Sequence, residues 1–198
     1  MEPLSKSDAE RGSALYDLER YLFSTVGPKF ARTGQLSAFD FFCIVIWKSN
    51  RSKSRAASRL LDVSHAKTLD EAVAELARQL RAAPGPRERF DVVLDGWGFQ
   101  LPIGSAILTV LWPDEFTIYD YRVCESLNDR GFGDHSRLSS VQHAHRRWTG
   151  YSEFVAAVKA AAPNDLPLRD ADRALWGLSF AEGLNKDLER WSQIQDPR

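Results

Sequence analysis

The sequence predicts an all-α protein. Three observations lead there. Apolar residues recur at three- and four-residue spacing through most of the chain, cap-type residues open those segments, and no two apolar runs alternate strictly enough to pair as strands. Of the 198 residues, 43% are hydrophobic and 11% aromatic, which supplies a core and argues against a disordered chain. The length suits one domain, or two small lobes sharing a core. In the two-lobe reading, residues 38–130 form the central lobe, and the N- and C-terminal helices form the second.

Taken in order, Ser7-Asp8-Ala9-Glu10 opens a helix with cap-type residues. Leu15, Leu18, Tyr21 and Leu22 continue it, and Gly27-Pro28 is expected to stop it. Residues 28–36 read as a loop. Ser37 caps a second helix through Phe39, Phe42, Cys43 and Ile46, apolar nearly all round and so expected in the core. A basic stretch from Trp47 to Arg55 leads into a helical segment, Ala56 to Leu61. Thr68-Leu69-Asp70-Glu71 is a capping-box pattern. Its helix carries Ala72, Val73, Leu76 and Leu80 and ends before Pro84-Gly85-Pro86. Residues 87–95 form a short helix closed by Gly96-Trp97-Gly98, and Pro102 opens another over 102–111. Trp112-Pro113-Asp114 ends that one. Thr117-Ile118-Tyr119 reads as extended, and Asp120 caps a helix through Leu127. After a polar loop at 129–138, helices are expected at 139–147, 150–162 and 168–193.

Net charge is −1, so any nucleic-acid contact must come from a local basic patch. The two cysteines, Cys43 and Cys124, sit in apolar surroundings and read as buried thiols of a cytoplasmic protein. Their spacing builds neither a zinc site nor an iron–sulfur cluster. His143 and His145 lack a third ligand at helical spacing. No metal and no cofactor are expected. The first residues contain no apolar stretch of a secretory signal, and the longest apolar run, Phe39 to Trp47, is too short to span a bilayer.

The chemistry-bearing stretch is Gly96 to Arg122. It reads as helix, tight glycine turn, helix, short loop, then an aspartate at a helix start. A hairpin between two helices presents backbone N–H groups at the second helix's N-terminus, which binds a phosphate without a lysine. An aspartate following such a hairpin is then expected near the sugar of the nucleotide so held.

This stretch resembles the hairpin and catalytic-aspartate segment of the helix-hairpin-helix DNA glycosylase superfamily, in particular a divergent bacterial branch related to 8-oxoguanine glycosylases. Gly104-Ser105-Ala106-Ile107-Leu108 is similar to the family's second hairpin helix, Pro113-Asp114 to its turn, and Thr117-Ile118-Tyr119-Asp120 to the approach to its essential aspartate. Residues 39–57 resemble the helix before the hairpin, and Asp172, Ala174, Leu175 and Trp176 resemble the closing helix. Two departures stand out. Gln100 replaces the second hairpin glycine, and Pro102 occupies the place of the lysine nucleophile. No lysine lies between residues 68 and 158, so a Schiff-base lyase is not expected. The resemblance implies a helix-hairpin-helix glycosylase-like bundle and monofunctional chemistry. A base is flipped from the stack, Asp120 stabilises the oxocarbenium-like sugar and orients a water, and an abasic site is left. Excision of modified bases from phage DNA in bacterial defence is one role the resemblance allows.

The basic stretch supplies the expected phosphate contacts. Lys48, Arg51, Lys53, Arg55 and Arg59 carry no acid between them, and in a continuous helix Lys48, Arg51 and Arg55 share one face. Asn50 is expected to reach the orphaned partner base. The hairpin residues Gly98, Gln100, Pro102, Gly104 and Ser105, with Arg122, complete the expected DNA contacts. Trp47, Lys48, Trp97, Tyr119 and Tyr121 are candidates for the base pocket. Asp40 reads as solvent-facing, or else as a second acid at that pocket. DNA is the expected partner of a monomer, with no membrane role. Two rival readings are an inert DNA-binding module and a helical protein-interaction domain, to which the acidic residues Glu182, Asp187 and Glu189 would lend themselves.

Overall fold

The computed structural model describes residues 3–194. No strand occurs among them, and the all-α expectation holds. The chain divides into two compact units, the boundary falling after Pro113.

The first unit begins with α1 (Lys6–Tyr16), capped by Ser5 and carrying no buried residue. Asp17 breaks the helix and caps α2 (Leu18–Tyr21), its side chain accepting the Arg20 N–H. Gly27-Pro28 does not stop the helical path, contrary to expectation. A π-helical turn, Leu22–Val26, leads into α3 (Gly27–Thr33), so residues 28–33 are helical rather than loop. Pro28 falls in the first turn of α3, where its missing N–H costs nothing. Gly27 is there for packing. A Cβ on it would lie 2.5 Å from the Val110 carbonyl oxygen. The left-handed Gly34 closes α3.

Ser37 caps α4 (Ala38–Ser49) as expected, accepting the Asp40 N–H. A single 3-10 turn, Asn50–Ser52, joins it to α5 (Lys53–Ser64). Both halves of the Thr68–Glu71 capping box are present at the start of α6 (Leu69–Ala82). Next come α7 (Pro86–Asp91) and a π-helical turn, Val92–Gly96, then the hairpin Trp97–Gln100 and α8 (Leu101–Leu111). From Ile103 to Leu111 every residue of α8 is buried. Gly104 lets the π turn approach, since a Cβ there would meet Leu94 Cδ2 at 2.9 Å.

In the second unit residues 116–119 are neither helix nor strand, Asp120 itself is extended, and α9 (Tyr121–Asp129) follows. The two helices expected at 139–147 and 150–162 are instead a short 3-10 turn, Leu138–Ser140, and one helix, α10 (Ala144–Ala160). Gly150 does not break α10. It makes room for Leu138, whose Cδ1 lies 2.7 Å from where a Cβ would stand. The final helix, α11 (Leu168–Ile194), buries Leu168, Ala171, Asp172, Leu175 and Ser179 and exposes Trp176, Phe180, Leu184, Leu188 and Trp191.

The glycine geometry makes a paired prediction. Gly27→Ala forces α3 off α8 and should cost about 1–3 kcal/mol in urea unfolding. Gly177→Ala, with nothing within 4 Å of its Cβ position, should instead stabilise by up to about 1 kcal/mol.

Candidate functional site

The hairpin of the first unit is held from behind. The Trp97 and Phe99 N–H groups donate to Val92 and Val93 carbonyls of the π turn. Gly98 adopts φ +66°, the left-handed region glycine enters without strain. The amides of Gly98, Gln100 and Leu101 make no hydrogen bond within the described residues. Gln100, as N-cap of α8, contributes no side-chain cap. One end of α8 therefore presents free donors, as a phosphate site requires.

Helix α5 completes that end. Ser52, Arg55 and Arg59 line a small cleft with Gly98, Phe99, Gln100 and Ile103. Its volume, about 70 Å³, suits a few waters or one small oxoanion. The Arg59 guanidinium lies over Gly98, with Nη1 3.3 Å from the position a Cβ would take. A side chain at 98 would be strained by the positive φ and would press on this guanidinium.

The structure thus brings Arg55, Gly98 and Gln100 together and leaves other expected DNA contacts apart. The continuous basic face fails because α4 ends at Ser49, where φ is −164°, so Lys48 and Arg51 do not share a helix face with Arg55. Asn50 is exposed and accepts from Lys53 Nζ at 3.1 Å. Gly104 and Ser105 are buried inside α8, and Ser105 Oγ donates to the Pro102 carbonyl, so neither faces DNA. Pro102 stays half-buried in the first turn.

The expected base stackers are also redistributed. Trp97 is 1% exposed, its indole N–H donating to Gln79 Oε1 at 2.9 Å, so no ring face remains for a base. Trp47 is half-buried and packs edge-to-face on Phe23. Lys48 is half-buried and already engaged within the fold. Tyr119 is buried, its hydroxyl held between the His135 and Ser136 carbonyls at 2.7 and 3.0 Å. Burial pushes its phenol up to about 12. Tyr121 alone of the five is open, at 67% exposure.

Asp40 does not face solvent. It is 4% exposed and accepts from the Tyr21 hydroxyl at 2.7 Å and Lys29 Nζ at 3.0 Å. Burial pushes its carboxyl up, but the hydrogen bonds from Tyr21, Lys29 and Ser37 outweigh that and hold it below its usual value. It serves as a polar rivet joining α2, α3 and α4. The same burial, with the hydrogen bond to Asp40, drives the Tyr21 phenol upward. Cys43 and Cys124 are buried free thiols as expected, and burial pushes Cys124 up to about 12.

Asp120 is positioned by a latched segment. The Tyr151 hydroxyl donates to the Thr117 carbonyl at 2.6 Å and accepts the Thr117 N–H at 3.2 Å. Phe116 stacks on the same tyrosine ring. These contacts bury residues 116–119 and deliver a half-buried Asp120 to the start of α9, where Oδ1 accepts the Arg122 N–H at 3.0 Å.

Beside it lies a cluster that the sequence reading did not assemble, for it took Tyr121 and Arg122 as candidates without Trp176 and Phe180 as their neighbours. The Arg122 guanidinium carbon sits 5.1 Å from the Tyr121 ring centroid, 5.7 Å from that of Trp176 and 5.4 Å from that of Phe180. Trp176 and Phe180 stack on each other, centroids 5.6 Å apart and planes 6° from parallel. The signal was available. Trp176 and Phe180 are four apart on a helix whose buried set, Leu168, Ala171, Leu175 and Ser179, occupies the other face.

Comparison with protein-family models, with curated proteins and with solved structures finds no match. Among the described residues no helix is long and apolar enough to cross a membrane, and no group of three or more His, Cys, Asp or Glu could hold a metal ion.

The Asp40 cluster carries a pH-dependent prediction. A carboxyl whose folded pKa is depressed contributes stability that is complete above its unfolded pKa of about 3.9 and lost as pH falls through the folded value. Asp40→Asn should cost about 1–2 kcal/mol at neutral pH, reduced by the partial exposure of Lys29, and the gap to wild type should close below about pH 4. Urea unfolding at several pH values measures it.

Proposed function

We propose that the chain is a monofunctional DNA glycosylase that hydrolyses the N-glycosidic bond of an extruded base. The observation that carries this reading is Asp120. It is a partly accessible carboxylate at a helix start, on a segment locked by Tyr151, beside exposed aromatic rings and the half-buried Arg122 guanidinium. The aromatic faces of Tyr121, Trp176 and Phe180 suit a flat base taken out of the stack, and the Arg122 cation among them adds a hydrogen-bond donor. In the first unit, the open hairpin amides with Arg55, Arg59 and Ser52 suit a backbone phosphate.

Each unit then supplies one part of the activity. The hairpin unit grips the DNA backbone through contacts that carry no sequence information. The second unit supplies the chemistry. The bond from C1′ to the base nitrogen breaks, and the electron pair leaves with the base, which takes up a proton. Asp120 stabilises the positive charge that develops on the sugar, and a water adds its hydroxyl to C1′. The products are a free base and an abasic site. Pro102 stands where a Schiff-base lysine would be needed, so strand cleavage is not part of the proposal.

One observation favours a second reading, an inert DNA-binding module. Asp120 already serves as an ordinary N-cap through the Arg122 N–H. A base-release assay separates the two. Wild-type protein and Asp120→Asn are incubated with a panel of DNAs that includes phage DNAs carrying hypermodified bases, and abasic sites are scored after alkali. The glycosylase reading expects abasic sites with wild type, a loss of at least about a hundredfold with Asp120→Asn, and retained DNA binding. Binding by both proteins with no base released from any substrate would contradict it and leave the inert module.

A further inference from the structure

A second, larger cleft in the first unit shares no residue with the hairpin cleft. It is an open groove of about 640 Å³ between the α3–α4 connection, Thr33 to Ser37, and one side of α6. That volume falls in the range of small-molecule sites. Three cations line it, Lys29, Arg78 and Arg81, and no acidic residue does.

The three cations are not equivalent. Lys29 is already paired with Asp40, and Arg78 makes two hydrogen bonds to Glu75. Arg81 makes no ion pair or hydrogen bond within the described residues. Its side chain packs across Gly34, 3.5 Å from that residue's Cβ position, so part of it is already ordered. The connecting loop adds donors. The Leu36 and Ser37 amides have no acceptor within the described residues. Besides its two arginines the α6 side carries three alanines, Ala74 and Ala82 exposed and Ala77 buried.

One guanidinium and two loop amides without partners, with no carboxylate in the lining, favour a multi-oxygen anion. The alanine wall and the volume select an anion with an organic body. We propose that this cleft binds a phosphorylated small molecule of mononucleotide size. The phosphate sits on Arg81 and the loop amides, and the apolar body lies against Ala74 and Ala82.

Calorimetric titration of the full chain with a 5′-mononucleotide, inorganic phosphate and duplex DNA tests this. Wild type is compared with Arg81→Glu and Ala74→Trp, both at exposed positions, with folding checked by circular dichroism. The mononucleotide should bind wild type, and Arg81→Glu should weaken it roughly tenfold or more. Ala74→Trp, which fills the cleft without changing charge, should abolish mononucleotide binding. Absence of mononucleotide binding to wild type would overturn the proposal. So would inorganic phosphate binding as tightly as the nucleotide, or a loss of duplex DNA affinity in Arg81→Glu equal to the loss for the nucleotide. That last result would make the cleft part of a DNA track.

Discussion

The enclosure of α8 governs the first unit. A helix buried on all sides from Ile103 to Leu111 must be approached closely by its neighbours, and its polar backbone must be spent internally. That explains two glycines. Gly27 lets α3 come within reach of the Val110 carbonyl, and Gly104 admits Val93 and Leu94. It also decides which hairpin residues can meet a partner. Past Ile103 nothing on α8 reaches outward, so what this end leaves open is the turn that precedes it, where the Gly98 and Gln100 amides have no partner among the described residues. The cationic side chains that serve that turn come from α5, because Arg55 and Arg59 are four apart and share the face that meets the hairpin.

The second unit solves a different problem, holding a short buried segment that is neither helix nor strand. Its backbone groups cannot pair with a neighbouring strand, so side chains satisfy them. Tyr151 both donates to and accepts from Thr117, and Tyr119 anchors the 135–136 loop. A buried phenol is costly unless its hydroxyl is bonded, and here the same bonds fix the chain entering α9. They also fix the position of Asp120, and the proposed function would need a carboxylate held in place before a charge develops.

Much of the fold was legible in the sequence because capping and periodicity are local. Ser37, the Thr68–Glu71 box and Asp120 each mark a helix start by hydrogen bonds made within three residues. What failed depends on contacts distant in sequence. Gly27 and Gly150 read as breakers, yet both lie in helices because another segment needs their missing Cβ. Asp40 reads as a surface acid until Tyr21 and Lys29, from two other elements, converge on it. The site was legible in outline only. The hairpin and Asp120 stood out by type and spacing. Burial removed Trp97, Tyr119 and Ser105 from the candidate surface, and the stacked Trp176–Phe180 pair entered from a helix some fifty residues downstream of Asp120.

In the proposed function the hairpin is the phosphate cradle through which the chain would grip DNA. Backbone amide spectra recorded during titration with duplex DNA test it most directly. The account predicts that the Gly98, Gln100 and Leu101 amides and the guanidinium signals of Arg55 and Arg59 shift first and together, and that added salt reverses the change. Shifts confined to other surfaces, with those three amides unmoved at saturation, would contradict it.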